Sequence, residues 1–220
     1  MAEFTRRSAL LSVALLILLS ACSITGEKSG LEFISPTQTL SPCYSRAKFG
    51  DPSDSPYVLP FPVGRSYKIS QTYCYPEGSH SIQLAYDFDI PIGEDISAAR
   101  SGTVIEIRDG APDTSDPEYN NKHNYVLIEH EDGTVAFYAH LKLNGIFVKV
   151  GDRVKQGQVI ADSGNSGFTG FRPHLHFGVY RSYPLHDGFD VPVNFKNTNG
   201  RLDNRNGLIR WQFYKALEYE

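Results

Sequence analysis

Two histidines, His174 and His176, stand two positions apart in RPHLHFGVY (residues 172–180), a strand-like run of apolar and aromatic residues. Successive side chains of a strand alternate between its faces, so both imidazoles point into one small volume. Imidazole titrates near neutral pH and is a common metal ligand, which makes a same-face pair a ready fragment of a metal or acid–base site. Such a site needs a carboxylate or a further imidazole from another strand. Asp87 and Asp89 alternate with apolar residues in AYDFDIP (residues 85–91). Acidic side chains are disfavoured there unless they line a solvated edge or hold a cation. The other histidines are His80, His123, His130, His140 and His186; a lone histidine among apolar residues is more often structural than a ligand.

The elements that must position these residues are strands. From about residue 57, short runs rich in Val, Ile, Tyr and Phe alternate with Gly, Asp and Asn turns, the pattern of a mostly β, antiparallel protein with few helices. Examples are GTVIEIRDG (102–110), YVLIEH (125–130), TVAFYAHL (134–141) and FVKVGDRVKQGQVIADSG (147–164). Between two of them, Glu131-Asp132-Gly133 supplies the positive φ of a tight hairpin. Residues 111–122 read as a polar surface loop. Residues 208–220 are the one segment of the domain read as helical. About 165 residues of strand and turn suffice for a single domain with its own core.

The N-terminal residues have another purpose. Arg6 and Arg7 precede an apolar run, residues 9–19, which is short for a bilayer span but suits the apolar region of an export signal. Leu19-Ser20-Ala21-Cys22 follows and resembles the bacterial lipobox, so residues 1–21 are expected to be a lipoprotein signal peptide and Cys22 a membrane lipid anchor. Ordinary signal cleavage is the alternative, and export follows from both. Ser23 after the anchor favours the outer membrane, facing the periplasm, in a Gram-negative source. Residues 22–56, rich in Ser, Thr, Gly and Pro, are expected to be a tether with little regular structure, followed by a domain over residues 57–220.

Removal of residues 1–21 takes two Arg and one Glu from 21 basic and 25 acidic residues, leaving 19 and 24, a net charge of −5. That balance argues against nucleic acid as a partner. Cys43 and Cys74 would meet an oxidising compartment, where they could form a disulfide or remain as two buried thiols. No segment suggests a partner helix or coiled coil, and a monomer is expected.

Taken in order, the motifs resemble those of the lysostaphin-type (LytM-like) zinc metallopeptidases of family M23. The first match is His80 followed by Asp87-Phe88-Asp89-Ile90-Pro91-Ile92-Gly93, and the second is GTV at residues 102–104. NYVLIEHEDGTVAFYAHL (124–141) is similar to the family hairpin that ends in His140. KVGDRVKQGQVIADSGNSG (149–167) and PHLHF (173–177) complete the series, which spans about residues 80–180, and DVPVNF (190–195) is similar to the closing segment. HLH alone would be weak; the ordered set is specific.

The resemblance implies antiparallel sheets forming an open groove and one zinc ion held by His80, Asp87 and His176, with His140 and His174 as the catalytic pair. It implies an endopeptidase that hydrolyses peptide bonds of bacterial cell-wall peptidoglycan. Two imidazoles and one carboxylate leave a tetrahedral zinc one open position, as catalytic rather than structural sites do. No HExxH is present, so proton transfer would fall to His140 and His174. Two departures stand out. His80 lies seven residues before Asp87, where compact members have HxxxD and would place Gln83; His123 is the fallback ligand. Arg172 precedes Pro173 where a glycine is usual. Noncatalytic relatives that activate wall amidases offer a second reading. A biotinyl or lipoyl carrier, which shares the VGDRVKQGQ turn, is a third, but no exposed Lys motif follows here.

Overall fold

The computed structural model describes residues 42–220. The expected signal peptide, Cys22 and most of the expected tether lie outside the described residues.

Among the described residues, ten strands form one antiparallel sheet that is not closed into a barrel. They are β1 (Ser66–Gln71), β2 (Tyr86–Asp89), β3 (Asp95–Ser97), β4 (Gly102–Arg108), β5 (Asn124–Glu129), β6 (Val135–Ile146), β7 (Arg153–Val154), β8 (Val159–Ser163), β9 (Leu175–Tyr180) and β10 (Phe213–Lys215). The path runs β10-β1-β2-β9-β6-β5-β4-β7, while β8 joins β3 to β6. The mostly β, open-sheet architecture expected from the sequence is therefore present. The β5–β6 hairpin turns at Gly133, whose φ is 80°, as the Asp-Gly pair requires.

Alternation sets the two faces of the central strands. Tyr86 and Phe88 of β2, Leu175, Phe177 and Val179 of β9, and Ala136 and Tyr138 of β6 are buried in one core. Phe88 and Phe177 pack against Phe195 at 6.1 and 5.8 Å between ring centroids. Each buried ring contributes roughly 1.5–3 kcal/mol of apolar burial. The intervening residues, Asp87 and His176 among them, necessarily face the other way.

Two expectations need correction. Residues 208–220 are not helical. Phe213–Lys215 is a strand paired with β1, with Tyr214 fully buried and Phe213 65% exposed, a period of two. Trp211 N–H donates to the Ile69 carbonyl and Ile69 N–H to the Gln212 carbonyl, so β1 satisfies the backbone that a helix would have satisfied internally. The tether expectation also fails over its described part. Pro42–Arg46 forms a short helix, α1, and Cys43 and Ala47 are buried in the core. A disulfide joins Cys43 to Cys74. Spacing and polarity could not reveal that covalent link or the burial it enforces.

The loop over residues 111–122 holds one 3-10 turn, Pro117–Tyr119, and is more than a polar surface loop. Ser115 is wholly buried, and its hydroxyl accepts from the backbone N–H groups of Thr169 and Phe171 at 3.1 and 2.8 Å. Asp113 accepts from the N–H groups of Leu143 and Asn165. The loop thereby braces the turn that leads into β9.

Candidate functional site

The β2–β9 register sets Asp87 directly opposite His176. His176 Nδ1 lies 3.0 Å from Asp87 Oδ1, His80 Nε2 lies 3.1 Å from the same oxygen, and the two imidazole nitrogens are 3.1 Å apart. Ligands at the usual zinc distances in a tetrahedron stand roughly 3.3 Å from one another, so this triangle of two nitrogens and one carboxylate oxygen fits one small cation. His80 and Asp87 are buried and the His176 side chain is 12% exposed, which sets the cluster apart from a solvated acidic patch. His80 Nδ1–H donates to the Thr72 carbonyl at 3.3 Å, leaving Nε2 with its lone pair. Gln71 Nε2 donates to Asp87 Oδ2 at 2.7 Å and orients the carboxylate. Such outer partners fix ligand tautomer and aim.

The long spacing between His80 and Asp87 has a structural explanation. His80 lies in the β1–β2 loop, which is tied down from several sides. Cys74 N–H donates to the Gln83 carbonyl and Gln83 N–H to the His80 carbonyl. The disulfide fixes Cys74 to α1. Arg46, at the end of α1, donates to the Ile82 carbonyl and pairs with Asp190, which also accepts from Leu84 N–H. These anchors hold a loop that would otherwise fray, and His80 with it.

His140 reaches the same face by an irregularity. Tyr125 pairs with Ala139 and Asn124 with Leu141, so β6 has one more residue than β5 at this point, and that residue is His140. Its φ is 64°, a left-handed conformation rare outside glycine and often kept at functional positions. The bulge turns the imidazole away from the face that Tyr138 uses, and Leu141 returns to the core. His140 and His174 then lie 4.6 Å apart between ring centroids. His140 Nδ1–H donates to the Ser166 carbonyl at 2.7 Å and His174 Nδ1–H to the Arg172 carbonyl at 2.8 Å. Both rings keep Nε2 free, and that of His174 is 3.8 Å from Asp87 Oδ2.

The GNSG run explains why the Ser166 carbonyl can be there. A Cβ at Gly164 would lie 2.4 Å from the Lys142 nitrogen, and one at Gly167 would lie 2.8 Å from the His123 Cβ. Only glycine lets this turn press against the bulge. Asn124 completes the support: its buried amide accepts from Gly110 and Ala111 N–H and donates to the Ala111 and Leu141 carbonyls.

Burial would raise the Asp87 pKa, but the imidazoles of His80 and His174 and the hydrogen bonds from His176 and His80 hold it well below the usual carboxylate range. Burial drives His176 down despite Asp87 and holds His140 well below the ordinary imidazole value, the latter reinforced by His174. His140 is therefore a neutral base at neutral pH. For His80, burial acts downward, but Asp87 beside it prevails and its pKa is raised. His123, the fallback ligand, does not join the triangle. Its ring rests on His140 and Phe137 at 5.1 and 5.6 Å, and burial pushes its pKa down to about 4. His186 meets Phe189 and His130 meets Tyr57 edge to face, apart from the triangle.

Sequence reasoning passed over Gln71, Ser115 and the Trp211 segment. Gln71 sits in an ordinary strand run, and its role appears only when β1 pairs with β2. Trp211 was read as part of a helix.

A buried His–Asp–His cluster that could hold a metal ion lies on an open antiparallel sheet, flanked by two further imidazoles. Residues 81–192 match Peptidase family M23, about half of the chain, and the chain belongs to that family. The match begins one residue after His80, whose candidacy as a ligand comes from the motif resemblance and from its 3.1 Å distances to Asp87 and His176. An uncharacterized metalloprotease of Buchnera aphidicola is 32% identical over 66% of this chain and 35% of its own length. Peptidoglycan DD-endopeptidase ShyB of Vibrio cholerae is 33% identical over 54% of this chain and 26% of its own. Lysostaphin of Staphylococcus staphylolyticus is 37% identical over 47% and 20%. The chain thus spans about a third or less of these curated relatives. Among solved structures, the catalytic domain of lysostaphin from Staphylococcus simulans aligns at 27% identity with a TM-score of 0.42, covering 57% of this chain and 86% of that one.

Proposed function

We propose that this protein is a zinc-dependent endopeptidase that hydrolyses peptide bonds in bacterial cell-wall peptidoglycan. His80, Asp87 and His176 would hold the ion, and His140 and His174 would handle protons. The observation that carries this reading is the convergence of three buried donor atoms within 4.8 Å of one another, with two additional imidazoles beside them. Bound there, zinc would act as a Lewis acid toward a scissile carbonyl and toward water. The chain's own residues do the rest. The Ser166 and Arg172 carbonyls hold His140 and His174 in the tautomer whose Nε2 can accept a proton, and once protonated the same nitrogen can donate to an oxyanion or leaving amine. Peptidoglycan as substrate is supported by family membership and by the named activity of ShyB. The presence of both catalytic imidazoles alongside the complete ligand set favours catalysis over the noncatalytic, amidase-activating reading.

The same reading sends the chain out of the cytoplasm, anchored in a membrane through Cys22. It is supported by the lipobox-like sequence and by the Cys43–Cys74 disulfide, which suits an oxidising compartment. Loss of lipid labelling in Cys22→Ala would be expected, with unchanged labelling counting against the anchor.

The decisive experiment incubates the purified full chain, loaded with zinc, with peptidoglycan sacculi. Released muropeptides are expected from the native chain. His176→Ala should lose both zinc and activity. His140→Ala should keep zinc and lose about 10²–10⁴-fold in rate. Zinc retained by the native chain with no muropeptides released would favour the regulatory reading.

A further inference from the structure

Three cations gather on one exposed indole at the edge of the candidate site. The Arg210 guanidinium lies 4.2 Å from the Trp211 ring centroid, Lys68 Nζ 5.1 Å and the Arg172 guanidinium 5.6 Å. Trp211 is 45% exposed, so it serves as a surface platform rather than as core. Arg210 is also stacked on Tyr75 at 4.1 Å, and its Nε–H donates to the Ser70 carbonyl at 2.7 Å. Held between two rings, its guanidinium is preorganised, with N–H groups to spare.

The charges here do not balance. Asp89 is 3.2 Å from Lys68 and 4.0 Å from Arg172, so two cations share one carboxylate. Among the described residues no carboxylate lies within ion-pair distance of Arg210. Of the acids that line the cleft, Asp87 belongs to the candidate metal site, and Glu77 accepts from the Tyr75 hydroxyl at 2.9 Å. Even with Glu77 counted, the cluster is positive, in a chain whose net charge is negative. Arg172, Arg210 and Trp211 line the same cleft, of about 350 Å³, as Asp87 and His174. A peptide that fills this cleft meets Asp87, His174 and the cationic cluster together.

We propose that Arg172 and Arg210, stacked on Trp211, form a subsite for a free carboxylate on the substrate peptide. The subsite makes the protein selective for acidic wall peptides over uncharged ones. This rests on the peptidase reading of the metal site. Arginine forks bind carboxylates with directed, charge-assisted hydrogen bonds, whereas a carboxamide offers neither the charge nor the second acceptor. Arg172 thereby gains a purpose at a position where the family resemblance leads one to expect glycine.

Trp211 is the only tryptophan in the chain, so its fluorescence reports binding at the subsite without requiring turnover. The full zinc-loaded chain is titrated with the peptide L-Ala-γ-D-Glu-meso-diaminopimelate-D-Ala and with the same peptide fully amidated. The free-carboxylate peptide should bind about tenfold more tightly. Arg172→Gln and Arg210→Gln should each reduce that preference severalfold, and Arg172→Lys should restore part of it. Equal affinity for the two peptides in the native chain would overturn the subsite, even if sacculi are digested. So would displacement of the peptide by inorganic phosphate at equal concentration, which would mark an unselective anion patch. Carboxylate preference without any digestion of sacculi would leave the subsite standing and defeat the peptidase reading instead.

Discussion

Asp87 is the residue on which the site depends. A buried carboxylate is costly unless its lone pairs are occupied, and here His80, His176 and Gln71 occupy them. Gln71 supports the ligand without touching the ion's position. Gln71→Ala should therefore lower zinc affinity about 10–100-fold while leaving the fold intact, as chelator competition and circular dichroism would show. His130 makes a different contribution. It is 3% exposed, its Nδ1–H donates to the Ser101 carbonyl, and burial pushes its pKa down from 6.5 to about 4. The unfolded chain takes up this proton below pH 6.5, whereas the folded chain resists until about pH 4. The associated stability is thus complete above pH 6.5 and is lost as pH falls through that window. Between pH 7 and pH 5 the loss from this one residue is about 2 kcal/mol. Urea unfolding of His130→Gln should show a correspondingly smaller drop than the native chain, and an identical drop would contradict this account.

At the scale of elements, two devices place side chains that regular structure would misplace. One is the β6 bulge with the GNSG turn behind it. Gly164→Ala would drive a Cβ to within 2.4 Å of backbone, displace the Ser166 carbonyl and release His140. Zinc content should survive this change, because none of the three ligands sits on that turn, while the rate on sacculi should fall at least tenfold. The other device is the clamp of α1 on the β1–β2 loop. Cys43→Ala with Cys74→Ala opens a loop closed across 31 residues, which should cost about 3–4 kcal/mol in thermal or urea unfolding. Because Cys74 lies in the β1–β2 loop that also carries His80, zinc affinity should fall as well. A loss of stability with no change in affinity would show that Arg46 and Asp190 suffice to hold His80.

For the whole molecule, the ion is expected to be a structural partner as well as a chemical one. Its candidate donors come from β2, β9 and the β1–β2 loop, which are brought together only in the folded state. At zinc a hundredfold above its dissociation constant, the folded state should gain about 2.7 kcal/mol, seen as a rise in melting temperature that chelator reverses. Asp87→Ala should abolish that rise. The charge distribution is also a property of the whole chain: a chain of net negative charge carries a local positive cluster in the cleft. Raised ionic strength should therefore weaken binding of acidic peptides more than it affects stability.

Local sequence already determined the strands, their two faces and the hairpin at Gly133, because alternation and turn chemistry act over a few residues. It placed His174 and His176 on one face, and the order of motifs pointed to the family. The resemblance implied that Asp87 and His176 share an ion, but not that they stand directly opposite each other, since register depends on which strands become neighbours. Alternation alone would have sent His140 to the core beside Tyr138; the bulge reversed that, and a bulge exists only between two paired strands. The helix expected over residues 208–220 is absent because the backbone of residues 211–215 pairs with β1, a partner some 140 positions away. The same long-range pairing carried Arg210 and Trp211 to the cleft, where their charge and exposed ring acquired a meaning that their neighbours in sequence do not supply.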